Sequence, residues 1–191
     1  MSMCGVHVAD SSNGHGSMQH LALSTFKKKC RSACSIEGPL GMENKVIPDA
    51  AITASSTYEN MIPTHGPQRS RLNTIGQCAA WGPSTSDTQP WIQVDLGSVS
   101  YITALITQGR GNRNVDQWVT AYNVKYGLEV EPTKYVTDVY GVPTEFVGNT
   151  DANSTVTTRF ETALVARFLR ILPKKNCGYY MIRFEVIGCM F

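Results

Sequence analysis

The sequence predicts an antiparallel β-sandwich or barrel. Three observations point to it. No segment holds a 3.6-residue hydrophobic period over about 11 residues. Short runs rich in Ile, Val, Thr and Tyr recur along the chain. Turn-forming residues cut the chain between them.

The first run is Ile52–Ser56, short and bounded by turn residues. Trp91–Leu96 alternates, with Trp91, Gln93 and Asp95 on one face and Ile92, Val94 and Leu96 on the other, the period of a half-buried strand. Gly97-Ser98 reads as a turn, and Tyr101–Thr107 follows as a separate strand. Ala121–Tyr126, Tyr135–Tyr140, Thr155–Phe160, Phe168–Leu172 and Ile182–Ile187 complete the series. Turn signals stand at Pro83-Ser84, Gly109–Asn114, Gly141–Pro143 and Gly148–Asn153, and there is no internal repeat.

Composition narrows the function classes. The 191 residues and 21.0 kDa suit one domain with a short appendage. The charged share is 17%, low for a disordered chain, and a net charge of +2 argues against a general nucleic-acid binder. No apolar run approaches the roughly 18 residues that span a bilayer. Residues 1–33 hold Lys27, Lys28, Lys29 and Arg31 against Asp10, which leaves 13 of the 17 basic and 14 of the 15 acidic side chains to residues 34–191. This divides the chain into a basic, cysteine-containing extension with little regular structure (1–33) and a folded domain (34–191). Six cysteines point to disulfides and to a secreted or extracellular setting. Met1–Gln19 is rich in Ser, Gly and His and lacks the apolar stretch of a signal peptide.

Several motifs then fall into order. They are Pro39-Leu40-Gly41-Met42-Glu43, Ile47-Pro48-Asp49 with Ile52-Thr53-Ala54-Ser55-Ser56, and Arg71-Leu72-Asn73 with Ala80-Trp81. Pro90-Trp91-Ile92-Gln93-Val94-Asp95-Leu96-Gly97, Thr107-Gln108-Gly109-Arg110 and Ile182-Arg183-Phe184-Glu185-Val186-Ile187-Gly188-Cys189 follow. Over residues 34–191 this series resembles the discoidin, or coagulation factor V/VIII type C, domain. The resemblance implies a jelly-roll β-sandwich, a distorted barrel of about eight main strands, with binding loops at one end. It also implies a Cys34–Cys189 bridge. Cys78 and Cys177 are then the remaining pair inside the domain, in loops that the family fold puts at the binding end, and a second bridge between them is expected. Cys4 and Cys30 either pair with each other or link subunits. A zinc reading of Cys4, His7, His15, His20 and Cys30 matches no known spacing, so no metal site is expected. The opening Cys30-x-x-x-Cys34 is similar to that of retinoschisin-like proteins. The chain departs from them in having Gly111 and Asn112 where their internal disulfide places a cysteine, and in having no cysteine after Cys189, so a disulfide octamer of that kind is not expected.

Enzyme motifs are missing: there is no Gly-x-Ser-x-Gly, His-Glu-x-x-His, P-loop or dinucleotide fingerprint, and His65 is the one histidine of residues 34–191. A non-catalytic binding or adhesion module is expected. Three loops carry its candidate ligand residues. In Tyr58–Ser70, Met61 and Ile62 form an apolar pair in a polar, Pro/Gly-punctuated stretch with His65 and Arg69. They either fold onto the core or resemble the hydrophobic spike of the family's membrane-binding members. In Gly109–Asp116, Arg110 and Arg113 offer planar donor forks beside Asn112 and Asn114, with pairing of Arg110 to Asp116 as the plain alternative. In Lys174–Tyr180, Lys174 and Lys175 add charge, and Tyr179 and Tyr180 offer amphipathic rings, one of them expected in the core. Trp81, Trp91 and Trp118 read as packing residues. Cell-surface glycans are the first expected ligand and anionic phospholipid the second, with a protein receptor third. No cofactor is expected, and scattered Asp and Asn residues leave calcium open. Asn153-Ser154-Thr155 is the one N-glycosylation sequon.

Overall fold

The computed structural model describes Cys34 and residues 36–76, 78–111 and 115–190. Cys4 and Cys30, with the rest of the N-terminal extension, lie outside the described residues. Among the described residues eight strands form one antiparallel sheet: β1 (Gly38–Pro39), β2 (Ile52–Ala54), β3 (Ile92–Gln108), β4 (Trp118–Gly127), β5 (Lys134–Tyr135), β6 (Phe146–Val147), β7 (Val156–Cys177) and β8 (Arg183–Met190). The order is β1-β8-β3-β7-β4-β5, with β2 on β3 and β6 on β4.

Two long strands fold this sheet into a sandwich. Ile92–Asp95 of β3 pairs with Phe168–Ile171 of β7 and, through Ile92–Val94, with β2. Ser100–Gln108 pairs instead with β8, and Ser100–Thr107 with Val156–Ala166 of β7. The register breaks between Asp95 and Ser100, and such a break bends a strand without ending it. The Gly97-Ser98 signal is therefore a bulge inside one strand and not a turn between two. Gly97 has φ +78°, and its N–H donates to Asp95 Oδ1 at 2.8 Å. Arg167 grips the same carboxylate with two bonds of 2.7 Å and holds its pKa below the usual range. In the same way Thr155–Phe160 and Phe168–Leu172 merge into β7.

The expected strand Tyr135–Tyr140 is a correction. The strand ends at Tyr135, with one further bond from Val136 N–H to Val124 O at 2.9 Å and a bridge between Thr137 and Pro143, because Asp138 Oδ1 accepts from the N–H groups of Tyr140 and Val142 and turns the chain about Gly141, at φ +80°. β1 and β6 have two residues each, too few to leave an alternating pattern. The core between the layers includes Trp81, Ile92, Val94, Leu105, Tyr122, Leu169 and Phe184, all fully buried. The Tyr122 hydroxyl meets Thr158 Oγ1 at 2.8 Å, and burial pushes its pKa up to about 12.

Cys34 and Cys189 are bridged, with Cα atoms 5.6 Å apart, tying the start of the domain to β8. The expected Cys78–Cys177 bridge is absent, and both are free thiols. Each sulfur belongs to a segment pinned elsewhere. Cys78 Sγ accepts from Arg110 Nη2 at 2.9 Å, whereas Cys177 ends β7 opposite Trp118.

Candidate functional site

The loops at one end of the sandwich converge on Arg183, the first residue of β8. Its side chain is buried, and its guanidinium donates to three backbone carbonyls: Gly109 at 2.7 Å, Thr74 at 2.9 Å and Ala152 at 3.2 Å. Desolvation lowers its pKa to about 10. At Gly111, φ +77°, a Cβ would press against this guanidinium, so glycine there admits the clamp.

The loop Tyr58–Ser70 carries the apolar tip. Glu59 and Asn60 are left-handed, with φ +44° and +56°, a strained pair for residues other than glycine. They turn the chain into the short helix α1 (Ile62–His65), where Met61 and Ile62 are 42% and 50% exposed. The pair thus faces outward and does not fold onto the core. The carbonyls of the pair are bonded within the loop. Met61 O accepts from the N–H groups of Thr64 and His65, at 3.1 and 2.9 Å, and Ile62 O accepts from Gly66 N–H at 3.0 Å and Gln68 Nε2 at 2.7 Å. Met61 N–H donates to Tyr58 O at 2.8 Å.

A support lies below the tip. Tyr58 packs on His65 at a centroid distance of 5.0 Å and meets Tyr179 edge-on at 5.6 Å, and the Tyr179 hydroxyl donates to Pro83 O at 2.9 Å. Burial, and then the charge of Arg110, holds the His65 pKa below its ordinary value. The Glu59 carboxylate raises the Tyr58 phenol, and burial raises Tyr179. His65, expected among the ligand residues, is corrected to a buried support: its ring is sequestered and its Nδ1 lies 3.0 Å from Thr64 Oγ1.

The predicted cations separate. Arg69 is spent on backbone, donating to Cys78 O at 3.0 Å and Ile75 O at 2.9 Å. Arg110 donates to Gln117 Oε1 and not to Asp116, and its Nε is buried without a hydrogen-bond partner among the described residues. Arg69, Arg110 and Arg183 thus bond to uncharged groups, and among the described residues none forms an ion pair with a carboxylate. The charges of half-buried Arg69 and Arg110 are therefore left unneutralised at this end, whereas Arg183 is buried. Lys175 pairs with Glu145 at 2.6 Å, whereas Lys174 is exposed. The Tyr180 hydroxyl donates to Lys174 O at 3.3 Å, and its ring packs on the core, as expected of one of the two tyrosines. Asn112, Arg113 and Asn114 lie outside the described residues. Asn153 is exposed next to Ala152, so its side chain is accessible for a glycan.

Sequence reasoning missed two residues here. Arg183 looked like framework, since one arginine in a strand carries no sign of three loop carbonyls around it. Ile75, 87% exposed in the segment that Arg69 grips, is a further apolar tip. Its isolation in a polar run was the available signal. Among the described residues no group of three or more His, Cys, Asp or Glu is placed to hold a metal ion, and no helix is long and apolar enough to cross a membrane.

Comparison with known proteins agrees with this architecture. Residues 51–186 match the F5/8 type C domain. The chain is 36% identical over 163 residues to lactadherin from Rattus norvegicus, covering 82% of this chain and 38% of that protein. It is 34% identical over 159 residues to coagulation factor VIII from Canis lupus familiaris, covering 83% of this chain and 7% of that protein. The chain therefore spans well under half the length of these relatives. Wild-type discoidin II from Dictyostelium discoideum superposes with a TM-score of 0.62 at 29% identity, over 72% of this chain and 53% of that one. A jelly-roll sandwich with loops gathered at one end, a domain match across residues 51–186 and relatives above 30% identity lead to one assignment: the chain belongs to the F5/8 type C, or discoidin, domain family.

Proposed function

We propose that this chain is a non-catalytic extracellular binding module whose loop end seats on anionic phospholipid membranes. The observation that carries the reading is the Met61–Ile62 tip, exposed in its side chains while its carbonyls are satisfied within the loop. A loop can enter the lipid interface cheaply only if its backbone polar groups need no water. Ile75 adds apolar surface, and Arg69 and Arg110 keep charge for lipid headgroups. The Cys34–Cys189 bridge supports an oxidising compartment.

The magnitudes suit reversible docking. Burying what Met61, Ile62 and Ile75 still expose contributes about 1–2 kcal/mol each. Each arginine near an anionic leaflet adds about 1 kcal/mol. A gross hold of roughly 5–8 kcal/mol, before ordering costs, is micromolar at its upper end. Linking copies through Cys4 or Cys30 would raise it by avidity. Glycan recognition by the same loops draws less support, because sugar hydroxyls need free hydrogen-bonding groups and those of Arg110 with Gln117, of Arg69 and of Lys175 are engaged, whereas attraction to a headgroup needs only the charge that the two arginines retain.

The test is co-sedimentation with phosphatidylcholine vesicles with and without phosphatidylserine. The protein is expected to pellet with the anionic vesicles, less so as salt rises. Met61→Ser with Ile62→Ser is expected to weaken pelleting about tenfold or more at unchanged thermal stability. Undiminished pelleting of that variant refutes the proposal.

A further inference from the structure

Strand β7 changes neighbours along its length. Phe168–Ile171 lies between β3 and β4, whereas Val156–Ala166 pairs with β3 alone. Among the described residues no strand, bridge or backbone hydrogen bond occupies the other edge of Val156–Ala166. An open edge is a row of backbone donors and acceptors that a further strand can join. The strand bulges over Phe160–Ala163, which have no register partner on β3, and a bulge bends an edge without closing it. A groove of about 480 Å³ runs beside this edge. Val136, Val139 and Phe146 wall it on one side, and Arg159, Phe160 and Leu164 on the other. Val139 is 85% exposed.

Side chains alternate along the open stretch. Thr158 and Phe160 point into the sandwich, where they meet Tyr122 and Phe146. Thr157, Arg159 and Glu161 therefore stand on the outer face, and all three are exposed. Arg159 Nη1 lies 2.7 Å from Glu37 Oε1, and the arginine side chain is still 64% exposed. Glu161 forms no ion pair among the described residues. The stretch Val156-Thr157-Thr158-Arg159-Phe160-Glu161-Thr162-Ala163-Leu164 is complementary to its own reverse about Phe160. Two antiparallel copies with Phe160 on the axis set Arg159 against Glu161, Thr158 against Thr162 and Val156 against Leu164, each twice. Opposite charges and paired threonines facing each other across strands stabilise a ladder. Neighbouring registers lose this. A slip of one residue sets outer side chains against inner ones, and a slip of two sets Arg159 against Arg159 or Glu161 against Glu161.

From this pattern we infer that the open edge of β7 is a self-association surface, on which a second copy of this chain adds the same edge about a two-fold axis. Charges on an edge commonly deter pairing. Here they have both signs, and a two-fold axis through Phe160 matches each to its opposite. The second copy also covers the groove wall that leaves Val139 exposed. Val156 pairs with Thr107, close to the loops that Arg183 gathers. The antiparallel arrangement therefore directs the two loop ends away from each other. The contact is one strand wide and so is weak and reversible. It uses neither Cys4 and Cys30 nor the Met61–Ile62 tip, and it is independent of the lipid reading.

The test is sedimentation velocity of the full chain carrying Cys4→Ser and Cys30→Ser, so that disulfides through those cysteines do not link copies. A reversible dimer with a Kd of about 10–100 μM is expected. In that background Arg159→Glu, or Glu161→Arg, is expected to raise the Kd about tenfold or more, because each reversal opposes like charges twice. Both positions are exposed, so the thermal melt is expected to change little. An equal mixture of the two variants again sets Glu against Arg, as does one chain carrying both changes. Each is expected to return to within about threefold of the parent Kd. Met61→Ser with Ile62→Ser is expected to dimerise like the parent. The inference is overturned if the parent stays monomeric up to about 500 μM or if either single reversal dimerises undiminished. It is also overturned if the mixture or the double reversal fails to recover, or if the tip variant loses the dimer instead.

Discussion

The Arg183 guanidinium donates to Gly109 O at 2.7 Å, and through its other nitrogens it joins that loop to those of Thr74 and Ala152. One buried charge therefore sets the spacing of three loops at the binding end. Arg183→Ala leaves three carbonyls without their donor, and a loss of about 3 kcal/mol is expected from urea denaturation. Arg183→Lys keeps the charge but not the planar fork, and is expected to recover only part of that. Urea midpoints equal to that of the parent chain in both variants would show that the loops hold without the clamp.

His65 gives the loop end a pH dependence of defined sign. Its folded pKa lies below the ordinary value because of burial first and the Arg110 charge second, with Glu59 opposing. Above the unfolded value of about 6.5 the imidazole is neutral in both states and contributes nothing. As pH falls below it, the unfolded chain takes up a proton that the folded chain resists, so stability declines until the folded pKa is passed. Denaturation midpoints at about pH 7.5 and about pH 5 should show the decline, and His65→Phe, which keeps a ring against Tyr58, should flatten it.

The Cys34–Cys189 bridge closes a sequence separation of 155 residues. In the chain-entropy view such a closure contributes on the order of 5 kcal/mol, so full reduction should lower the melting temperature by about 10–20 °C. Peptide mapping without reductant should recover Cys34 joined to Cys189, with Cys78 and Cys177 alkylated as free thiols. A mapped Cys78–Cys177 bridge would contradict the Cys78–Arg110 contact.

The sequence by itself determined the fold class, most strands and the end bridge. These follow from short-range features: the alternation of Trp91–Leu96, the turn residues around it, and the motif order that resembles the discoidin domain. It also picked out Met61–Ile62, since an apolar pair in a polar, proline-bearing loop stands out locally. Only the tertiary structure decided where a strand bends and where it ends. Gly97 looks like a turn until Asp95, fixed by Arg167, makes it a bulge, and a propensity scan cannot see a partner 72 residues away.

The site followed the same rule. Arg69, Arg110 and His65 were recognised as residue types, but their roles depend on partners brought close by folding: carbonyls and a thiol for the arginines, an aromatic wall for the histidine. Arg183 was illegible for the same reason. A charge in a strand reads as solvated until the fold places a carbonyl against it.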